Sequence, residues 1–544
     1  MKLAIIGGGP SAFYVASRLH KLLPQTLDYR IHLFDRLWSP HGLVRYGVAP
    51  DHPEVKNCTH KFDEAALDRR LRFFGNVNVG DSPSPIQHTV KLPLSSVFSN
   101  YSHVVFATGC TLPKRHSELP PSAICISALS MVHWYTQHPN APSPPPLDKL
   151  SHVSLIGNGN VSLDVARMLL THVDVLRKYD VPERVLDVLA ESTVKHVSIV
   201  GRRGPLEAAF TMKELREMIN LPDASMVPLA PALLQPSEGV PLTRQQTRVL
   251  QLLSKGSKNT FGTTAKTWSL DFYRSPAGLM VPSPENTRAQ LSLAHTVVDP
   301  ATQRAVPAGE TSTVATDLVV TSLGFHGEPT APYFDPGLGH LRTLSNRIVT
   351  NAGTTLRNVY GSGWASTGAH GVLAATMMNA YDVAETIVND HMNPLEGTEG
   401  VLNPDPSLEE LPEEVVHGIR ERNIVEYPDW KRIDEEEMRR GQVRAGCLSL
   451  PQNGLSAVFH RCLKLRPPFI ATPTSRGTLC PPPPEPCVYL IHGGVYGHNY
   501  EVRADVQWRG VQHGGSTSDG LRTWWRRWVG LAGCEGMAEG HTVG

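Results

Sequence analysis

Short apolar runs that pass directly into glycine mark the first half of this chain. Residues 3–6 have the length of a buried strand, residues 7–12 are rich in glycine, and apolar residues recur at helical spacing over 13–23. About 150 residues later the same order of apolar run, glycine loop and helical pattern returns over 153–170. The pattern predicts two strand–loop–helix units of the kind that opens a dinucleotide-binding fold.

The first glycine loop fits the G-x-G-x-x-A fingerprint. Gly7 permits a tight turn, Gly9 lets the backbone approach a pyrophosphate, and the following helix offers unpaired N–H groups to that anion. A second apolar run at 30–34 ends at Asp35, where an acid binds the adenosine ribose in such folds. The alternative interpretation is a glycine turn in an unrelated α/β protein, with Asp35 as a solvated loop residue.

The second loop repeats Gly157 and Gly159 but has no acid after its next strand. Instead, the run at 196–200 leads to Arg202 and Arg203. Paired guanidinium groups suit the 2′-phosphate of NADP because arginine forms forked hydrogen bonds to phosphate oxygens. The separation from the loop is about twice the usual ~20 residues, which requires an inserted helical stretch. The alternative is that both arginines are only exposed. We predict FAD at the first loop and NADP at the second.

Composition narrows the class of protein. The 544 residues predict several domains, and the formal net charge of +0 gives no overall reason to expect a nucleic-acid partner. No apolar run approaches the roughly 18 residues of a transmembrane helix. Because the first glycine loop interrupts the N-terminal apolar run, we expect no signal peptide. Because the first apolar run begins the sequence, we expect no transit peptide either. The absence of C-x-x-C argues against a redox dithiol, and no metal site is predicted.

Two later patterns predict how the units are arranged. Apolar runs at 104–109 and 318–325 both end in glycine, on either side of the second nucleotide unit, and a proline-rich spacer at 137–146 precedes it. Apolar and helical patterns resume over 358–388. The fold class predicted is α/β, with two Rossmann-like domains and the NADP domain inserted into a discontinuous FAD domain. The predicted boundaries are 1–110 and 330–446 for FAD, 111–329 for NADP, and 447–544 for an atypical tail.

Longer motifs carry a resemblance to a known family over residues 1 to about 446. The chain resembles the adrenodoxin reductase family, the mitochondrial-type NADPH:ferredoxin reductases. The matching stretches are 34–36, 42–57, 75–80, 159–167, 201–205, 210–218, 361–364, 429–430 and 440–442.

The resemblance implies roles for individual residues. Those that match FAD contacts are Ser11, Asp35, Leu43, Val79, Trp364, Gly371, Val372 and Leu373. Those that match NADP contacts are Asn158, Gly159, Asn160, Val161, Arg202, Arg203 and Glu214. His52 and Asp164 match a polar pair near the flavin, for which proton handling and a structural hydrogen bond are both open. Arg216 is a candidate ferredoxin contact, or merely a solvated helical arginine.

The chain also departs from the family. Gly368-Ala369-His370 stands in place of Gly-Pro-Thr, and Leu373 replaces isoleucine. After Gly446 the sequence no longer resembles the family: the tail holds five of the eight cysteines, a run of four prolines and no sustained periodicity. We expect little packed structure there. We interpret the tail as an alternative reading frame or retained intron, with an evolved binding extension as the other possibility.

The resemblance implies an enzyme that passes hydride from NADPH to FAD and then single electrons to an adrenodoxin-like [2Fe-2S] ferredoxin. It also implies a mitochondrial matrix location, with peripheral association at the inner membrane open and a cytoplasmic setting as the alternative. Other interpretations are a related flavoprotein with another electron acceptor, and a catalytically impaired or regulatory nucleotide-binding product with an altered C-terminus.

Overall fold

The computed structural model describes residues 1–81, 86, 89–235, 241–284, 287–394 and 400–446. The tail at 447–544, for which the sequence predicts little packed structure, lies outside these residues.

Strands are distributed along most of the described chain. They are β1 (Lys2–Ile6), β2 (Arg30–Asp35), β3 (Leu71–Gly75), β4 (Val77–Val79), β5 (Val90–Leu92), β6 (His103–Phe106), β7 (Leu112–Pro113), β8 (Cys125–Ser127), β9 (His152–Ile156), β10 (His196–Gly201), β11 (Ala224–Met226), β12 (Lys266–Phe272), β13 (Arg274–Met280), β14 (Ala289–Val298), β15 (Ala305–Thr316), β16 (Leu318–Thr321), β17 (Phe325–His326), β18 (Phe334–Asp335), β19 (His340–Leu341), β20 (Thr343–Leu344), β21 (Arg347–Val349), β22 (Thr355–Gly361) and β23 (Val425–Glu426).

Helices alternate with these strands. They are α1 (Pro10–Leu22), α2 (Leu43–Tyr46), α3 (Thr59–Ala66), α4 (Leu94–Asn100), α5 (Ala128–Tyr135), α6 (Asn160–Leu170), α7 (Val173–Leu176), α8 (Glu183–Ala190), α9 (Met212–Ile219), α10 (Arg244–Lys255), α11 (Trp364–Thr367), α12 (Leu373–Met392), α13 (Glu413–Arg420) and α14 (Tyr427–Gly446). Within the described residues, no helix combines the length and the hydropathy that crossing a membrane requires.

The first sheet combines strands from both ends of the described chain. Its order is β20-β21-β22-β6-β1-β2-β3-β23, with parallel pairing from β22 to β3 and antiparallel pairing at both edges. Side chains alternate between its faces. Leu3 and Ile5 pack with α1 and α12, whereas Ala4 and Ile6 belong to the core on the other face. A strand buried on both faces explains why its sequence is continuously apolar.

The second sheet is formed by the middle of the chain. Its order is β11-β12-β10-β9-β16-β8, and every pair is parallel. The helices α5, α6, α8 and α9 contribute to its core, in which Trp268 is fully buried. The third sheet, β13-β14-β15, is antiparallel and lies between β12 and β16 in the sequence.

These sheets confirm the predicted fold class, because strands from the middle of the chain form one nucleotide-type sheet while strands before and after them share the other. The chain leaves the first sheet after β6 and returns through β17, which pairs with β7. Gly109 and Gly324, which end the two apolar runs, both have positive φ, at 69° and 86°. The exact domain boundaries remain a prediction.

Candidate active site

The first glycine loop joins β1 to α1. Gly7 has a φ of +107°, and a Cβ there would lie 2.4 Å from the carbonyl oxygen of Ala107. A Cβ on Gly9, in contrast, would meet no atom within 4 Å. Gly7 is therefore required by the fold, while Gly9 faces open space beside the N-terminus of α1, where a pyrophosphate fits. Pro10 begins the helix, and proline is well suited there because its missing N–H would have no helical partner.

Asp35 supports this loop. Its carboxylate accepts hydrogen bonds from the backbone N–H of Gly8 at 2.5 Å and of Leu37 at 2.7 Å. Burial raises the pKa of Asp35, and these backbone hydrogen bonds oppose that shift. A carboxylate oxygen accepts more than one hydrogen bond, so Asp35 can still accept one from a ribose hydroxyl. Its role in ribose binding remains a prediction.

The second loop has the same geometry. Gly157 has a φ of +121°, and its Cβ would lie 2.2 Å from the carbonyl oxygen of Ser322, while nothing lies within 4 Å of a Cβ on Gly159. Ser162, which replaces the third glycine, is buried and donates a hydrogen bond to the carbonyl oxygen of Gly157 at 2.5 Å. The serine hydroxyl therefore stabilises the turn at Gly157.

The two asparagines of the second loop connect it to neighbouring elements. Asn160 Oδ1 accepts a hydrogen bond from the backbone N–H of Thr211 at 2.7 Å, immediately before α9. The side chain of Asn158 lies against Gly201 at the end of β10, and its Nδ2 is buried without a partner among the described residues. A buried donor beside open backbone is suited to bind a nucleotide oxygen.

Arg202 and Arg203 follow β10 directly. Arg202 is exposed and Arg203 is half-buried. Within the described part of the chain, neither guanidinium forms an ion pair with a carboxylate, unlike the buried arginines elsewhere in the fold. Two cations at the carboxyl end of this strand are therefore positioned to receive an anionic group.

A buried cluster of charges joins α6 and α9 to the loop after α2. His52 Nε2 lies 2.7 Å from Glu217 Oε2. Arg167 donates to Asp164 Oδ1 at 2.7 Å and to Asp51 Oδ1 at 3.1 Å, and its Nε also contacts Asp51. Arg167 Nη1 lies 3.3 Å from Glu217. One arginine thus holds carboxylates from three segments of the chain.

These contacts shift pKa values in different directions. Burial lowers the pKa of His52, but the hydrogen bond to Glu217 and the charges of Asp51 and Asp164 together outweigh it, so the pKa is raised above its ordinary value. Burial raises the pKa of Asp164 despite the neighbouring Arg167. Burial raises the pKa of Asp51, but the hydrogen bonds from Arg167 and the charges of Arg167 and His52 together outweigh it, so the pKa is lowered.

The structure brings His52 and Asp164 together but gives each a different partner. One polar atom each from His52, Asp164 and Glu214 lie within 4.8 Å of one another, whereas the hydrogen bonds run to Glu217 and Arg167. Glu214 accepts a hydrogen bond from the Thr211 hydroxyl. Sequence reasoning missed Asp51, Arg167 and Glu217. All three lie in stretches that resemble the family, and the i,i+3 spacing places Asp164 and Arg167 on one face of α6, but neither signal assigned them a role.

The residues that the sequence assigns to the flavin lie on several segments. Ser11 Oγ is 2.6 Å from Ser362 Oγ, next to Gly363, which has a φ of +62°. Trp364 begins α11 and donates through Nε1 to the carbonyl oxygen of His370 at 3.0 Å. Val372 is the N-cap of α12 and is 59% exposed. The remaining members of this set are half-exposed Leu43 at the start of α2, half-exposed Val79 in β4, Gly371 and Leu373.

Comparison with known proteins identifies the family. The chain is 36% identical over 461 residues to the mitochondrial NADPH:adrenodoxin oxidoreductase of Salvelinus fontinalis, with 81% of this chain and 87% of the relative covered. It is 35% identical to the human protein of the same name, over 81% and 88%. The chain belongs to the adrenodoxin reductase family. No protein-family model matches it.

Bacterial members of the adrenodoxin reductase family are similar as well. The NADPH-ferredoxin reductase FprA of Mycobacterium tuberculosis is 32% identical over 455 residues, with 81% of this chain and 94% of the relative covered. The solved structure of FprA in complex with NADPH has a TM-score of 0.68, at 31% identity over 81% of this chain and 95% of that chain.

Proposed function

We infer that this chain is an FAD-dependent NADPH:ferredoxin oxidoreductase of the adrenodoxin reductase type. The observation that carries the inference is the duplicated loop geometry: Gly9 and Gly159 both face open space at a helix N-terminus, and only the second loop is followed by an arginine pair. The first loop therefore suits a dinucleotide without a 2′-phosphate, and the second loop suits NADPH.

The first sheet would hold FAD. The N-terminus of α1 and the open side of Gly9 receive the pyrophosphate, since unpaired N–H groups and the helix dipole favour an anion. Asp35 is placed for the adenosine ribose. We assign the flavin contacts to Ser11, Leu43, Val79, Trp364 and residues 371–373. The exposed Val372, at the N-terminus of a 20-residue helix, leaves an edge of this site accessible.

The second sheet would hold NADPH. Asn158, Asn160 and Val161 lie at the pyrophosphate end, and Arg202 and Arg203 lie where the 2′-phosphate would bind. Glu214 is next to His52 and Asp164, so we place the nicotinamide end of NADPH near this cluster. The proposed division of the chain is 1–110 and 330–446 for FAD and 111–329 for NADP.

With both nucleotides bound, FAD supplies the chemistry that converts a two-electron hydride donor into a source of single electrons. The chain supplies orientation, and a proton at His52 Nε2. Because the pKa of His52 is raised, its ring stays protonated to a higher pH than a free histidine does. Arg167 keeps Asp164 and Asp51 in place through its hydrogen bonds.

The partner we propose is an adrenodoxin-like [2Fe-2S] ferredoxin with an acidic surface. Arg216 on α9 is exposed, and so are Arg244 and Arg248, which are four residues apart on α10. Among the described residues none of these three arginines has an ion-pair partner, so each leaves an exposed positive charge that an acidic partner could meet. We place the enzyme in the mitochondrial matrix by analogy with its mitochondrial relatives.

One set of measurements tests this function. The purified chain should have a flavin absorbance spectrum and should reduce cytochrome c with NADPH only when a [2Fe-2S] ferredoxin is added. Flavin with ferredoxin-independent NADPH oxidation would contradict the acceptor. A colourless protein that still binds NADPH would point instead to a non-catalytic nucleotide-binding product.

A further inference from the structure

The loop that carries Arg202 and Arg203 is anchored by the third sheet. The hydroxyl of Thr296, on β14, donates a hydrogen bond to the carbonyl oxygen of Arg202 at 2.8 Å. The backbone N–H of Tyr273 donates to the carbonyl oxygen of Arg203 at 3.4 Å, and the N–H of Thr296 donates to the carbonyl oxygen of Tyr273 at 3.0 Å. Thr296 of the third sheet and Tyr273, which lies between β12 and β13, thus hold two consecutive carbonyl groups of the arginine loop.

Two irregularities in the backbone bring these residues to the loop. The pairing of β14 with β15 shifts register between Ala294 and Thr296, and such a bulge redirects the side chain that follows it. Tyr273 has a φ of +54°, which is uncommon for a bulky residue. Its hydroxyl lies so close to Gly204 that a Cβ there would be 2.1 Å away.

The anchoring has a direct consequence for the guanidinium groups. Neither Arg202 nor Arg203 is paired with a carboxylate in the described part of the chain, so no ion pair fixes its direction. Thr296 is 6% exposed, so its hydroxyl is shielded from water. The contacts of the arginine loop with Thr296 and Tyr273 therefore fix the backbone positions from which both arginine side chains extend.

We propose that Thr296, supported by Tyr273, is a positioning residue that sets the selectivity of this enzyme for the 2′-phosphate of NADPH. This inference rests on the proposed function, because it assumes that the arginine pair binds the phosphate. The third sheet, which contributes no residue to the predicted nucleotide contacts, acquires a role as the support of the arginine loop.

The test is equilibrium binding of 2′,5′-ADP and of 5′-AMP to the purified, flavin-containing full chain, measured by calorimetry. Thr296→Val removes the hydroxyl with little change in shape, and Thr296→Ser retains it. Thr311→Val is the matched control, because Thr311 is an exposed threonine of the neighbouring strand β15. Thermal unfolding of each variant reports whether the fold is intact.

We expect Thr296→Val to weaken 2′,5′-ADP binding about three- to tenfold, the range of one lost neutral hydrogen bond, and to leave 5′-AMP binding unchanged. Thr296→Ser and Thr311→Val should bind both ligands as the unmodified chain does. Equal weakening of both ligands, or none, in Thr296→Val would overturn the positioning role.

The double variant Arg202→Ala with Arg203→Ala separates this failure from failure of the proposed function. Loss of the 2′,5′-ADP preference in the double variant, with Thr296→Val unaffected, refutes only the positioning by Thr296. An unchanged preference in the double variant refutes the assignment of the arginine pair to the 2′-phosphate, and the inference about Thr296 with it.

Discussion

Replacing Arg167 by methionine should destabilise the protein strongly at neutral pH. The Arg167 side chain is 5% exposed, and its partners Asp51 and Asp164 are 11% and 16% exposed. Removing one partner of a buried ion pair costs about 3–5 kcal/mol, because the remaining charge stays buried without compensation. Glu217 is 30% exposed and is partly solvated, so it adds little. We expect Arg167→Met to lower the free energy of unfolding by about 3–5 kcal/mol at pH 7.

The loss should depend on pH in a defined direction. In the unmodified chain the pKa of Asp51 is lowered, so its stabilising contribution is present above the ordinary aspartate pKa and disappears as the pH falls through the lower folded value. In Arg167→Met, burial acts on Asp51 and Asp164 without the opposing cation and raises both pKa values. Protonation of Asp51 and Asp164 then removes the repulsion between them. The difference in free energy of unfolding between the unmodified chain and Arg167→Met should therefore narrow from pH 7 to pH 5.

Urea unfolding followed by tryptophan fluorescence measures both effects. Arg432→Met is the matched control, since Arg432 is 75% exposed and, among the residues that the structure describes, pairs only with a neighbouring residue of its own helix. This substitution should cost less than about 0.5 kcal/mol. A loss below about 1 kcal/mol in Arg167→Met, or a difference that does not narrow at pH 5, would refute the reasoning.

Three further predictions concern the loops and surfaces. Gly7→Ala should lower the free energy of unfolding in urea by about 2 kcal/mol or more, because its Cβ would meet the Ala107 carbonyl and its φ is positive. Gly9→Ala should fold normally but retain less flavin. Equal stability of the two variants would contradict this prediction. The raised pKa of His52 means that its ion pair stabilises the fold below about pH 6.5, and that this stability is lost as the pH rises through the higher pKa of the folded state. His52→Gln should therefore be less stable than the unmodified chain at pH 6 and closer to it in stability at pH 8. A stability difference that stays constant between these pH values would count against the role of His52. Arg216→Glu should raise the KM for ferredoxin several-fold at low salt, with a smaller effect at high salt, and an unchanged KM would remove Arg216 from the docking surface.

The sequence predicted those parts of the fold that local patterns encode. The apolar runs at 153–156 and 196–200 correspond to β9 and β10, and the helical pattern within 358–388 corresponds to α12. The third sheet was not predicted. Most of β15 is exposed, so its sequence has neither the continuous apolar run of a buried strand nor the alternation of a half-buried one.

Residues of the candidate site were predictable only where a local motif carries them. The glycine loops and the arginine pair are local. The cluster around Arg167 is not, because Asp51 is 116 residues away in sequence and no pattern in the chain connects the two. A buried arginine requires acidic partners, but its burial becomes visible only when α6 packs beside the loop after α2.

The strand order of the first sheet has a consequence for how the protein is made. The strand β6 pairs with β22, which is synthesised only after the whole second sheet. Until residues 355–361 leave the ribosome, β6 exposes an unpaired edge of an apolar sheet, and such edges promote aggregation. The second sheet can complete itself during this interval. A nascent chain that stops before β22 should therefore contain a folded nucleotide unit attached to an unfinished one that depends on chaperones.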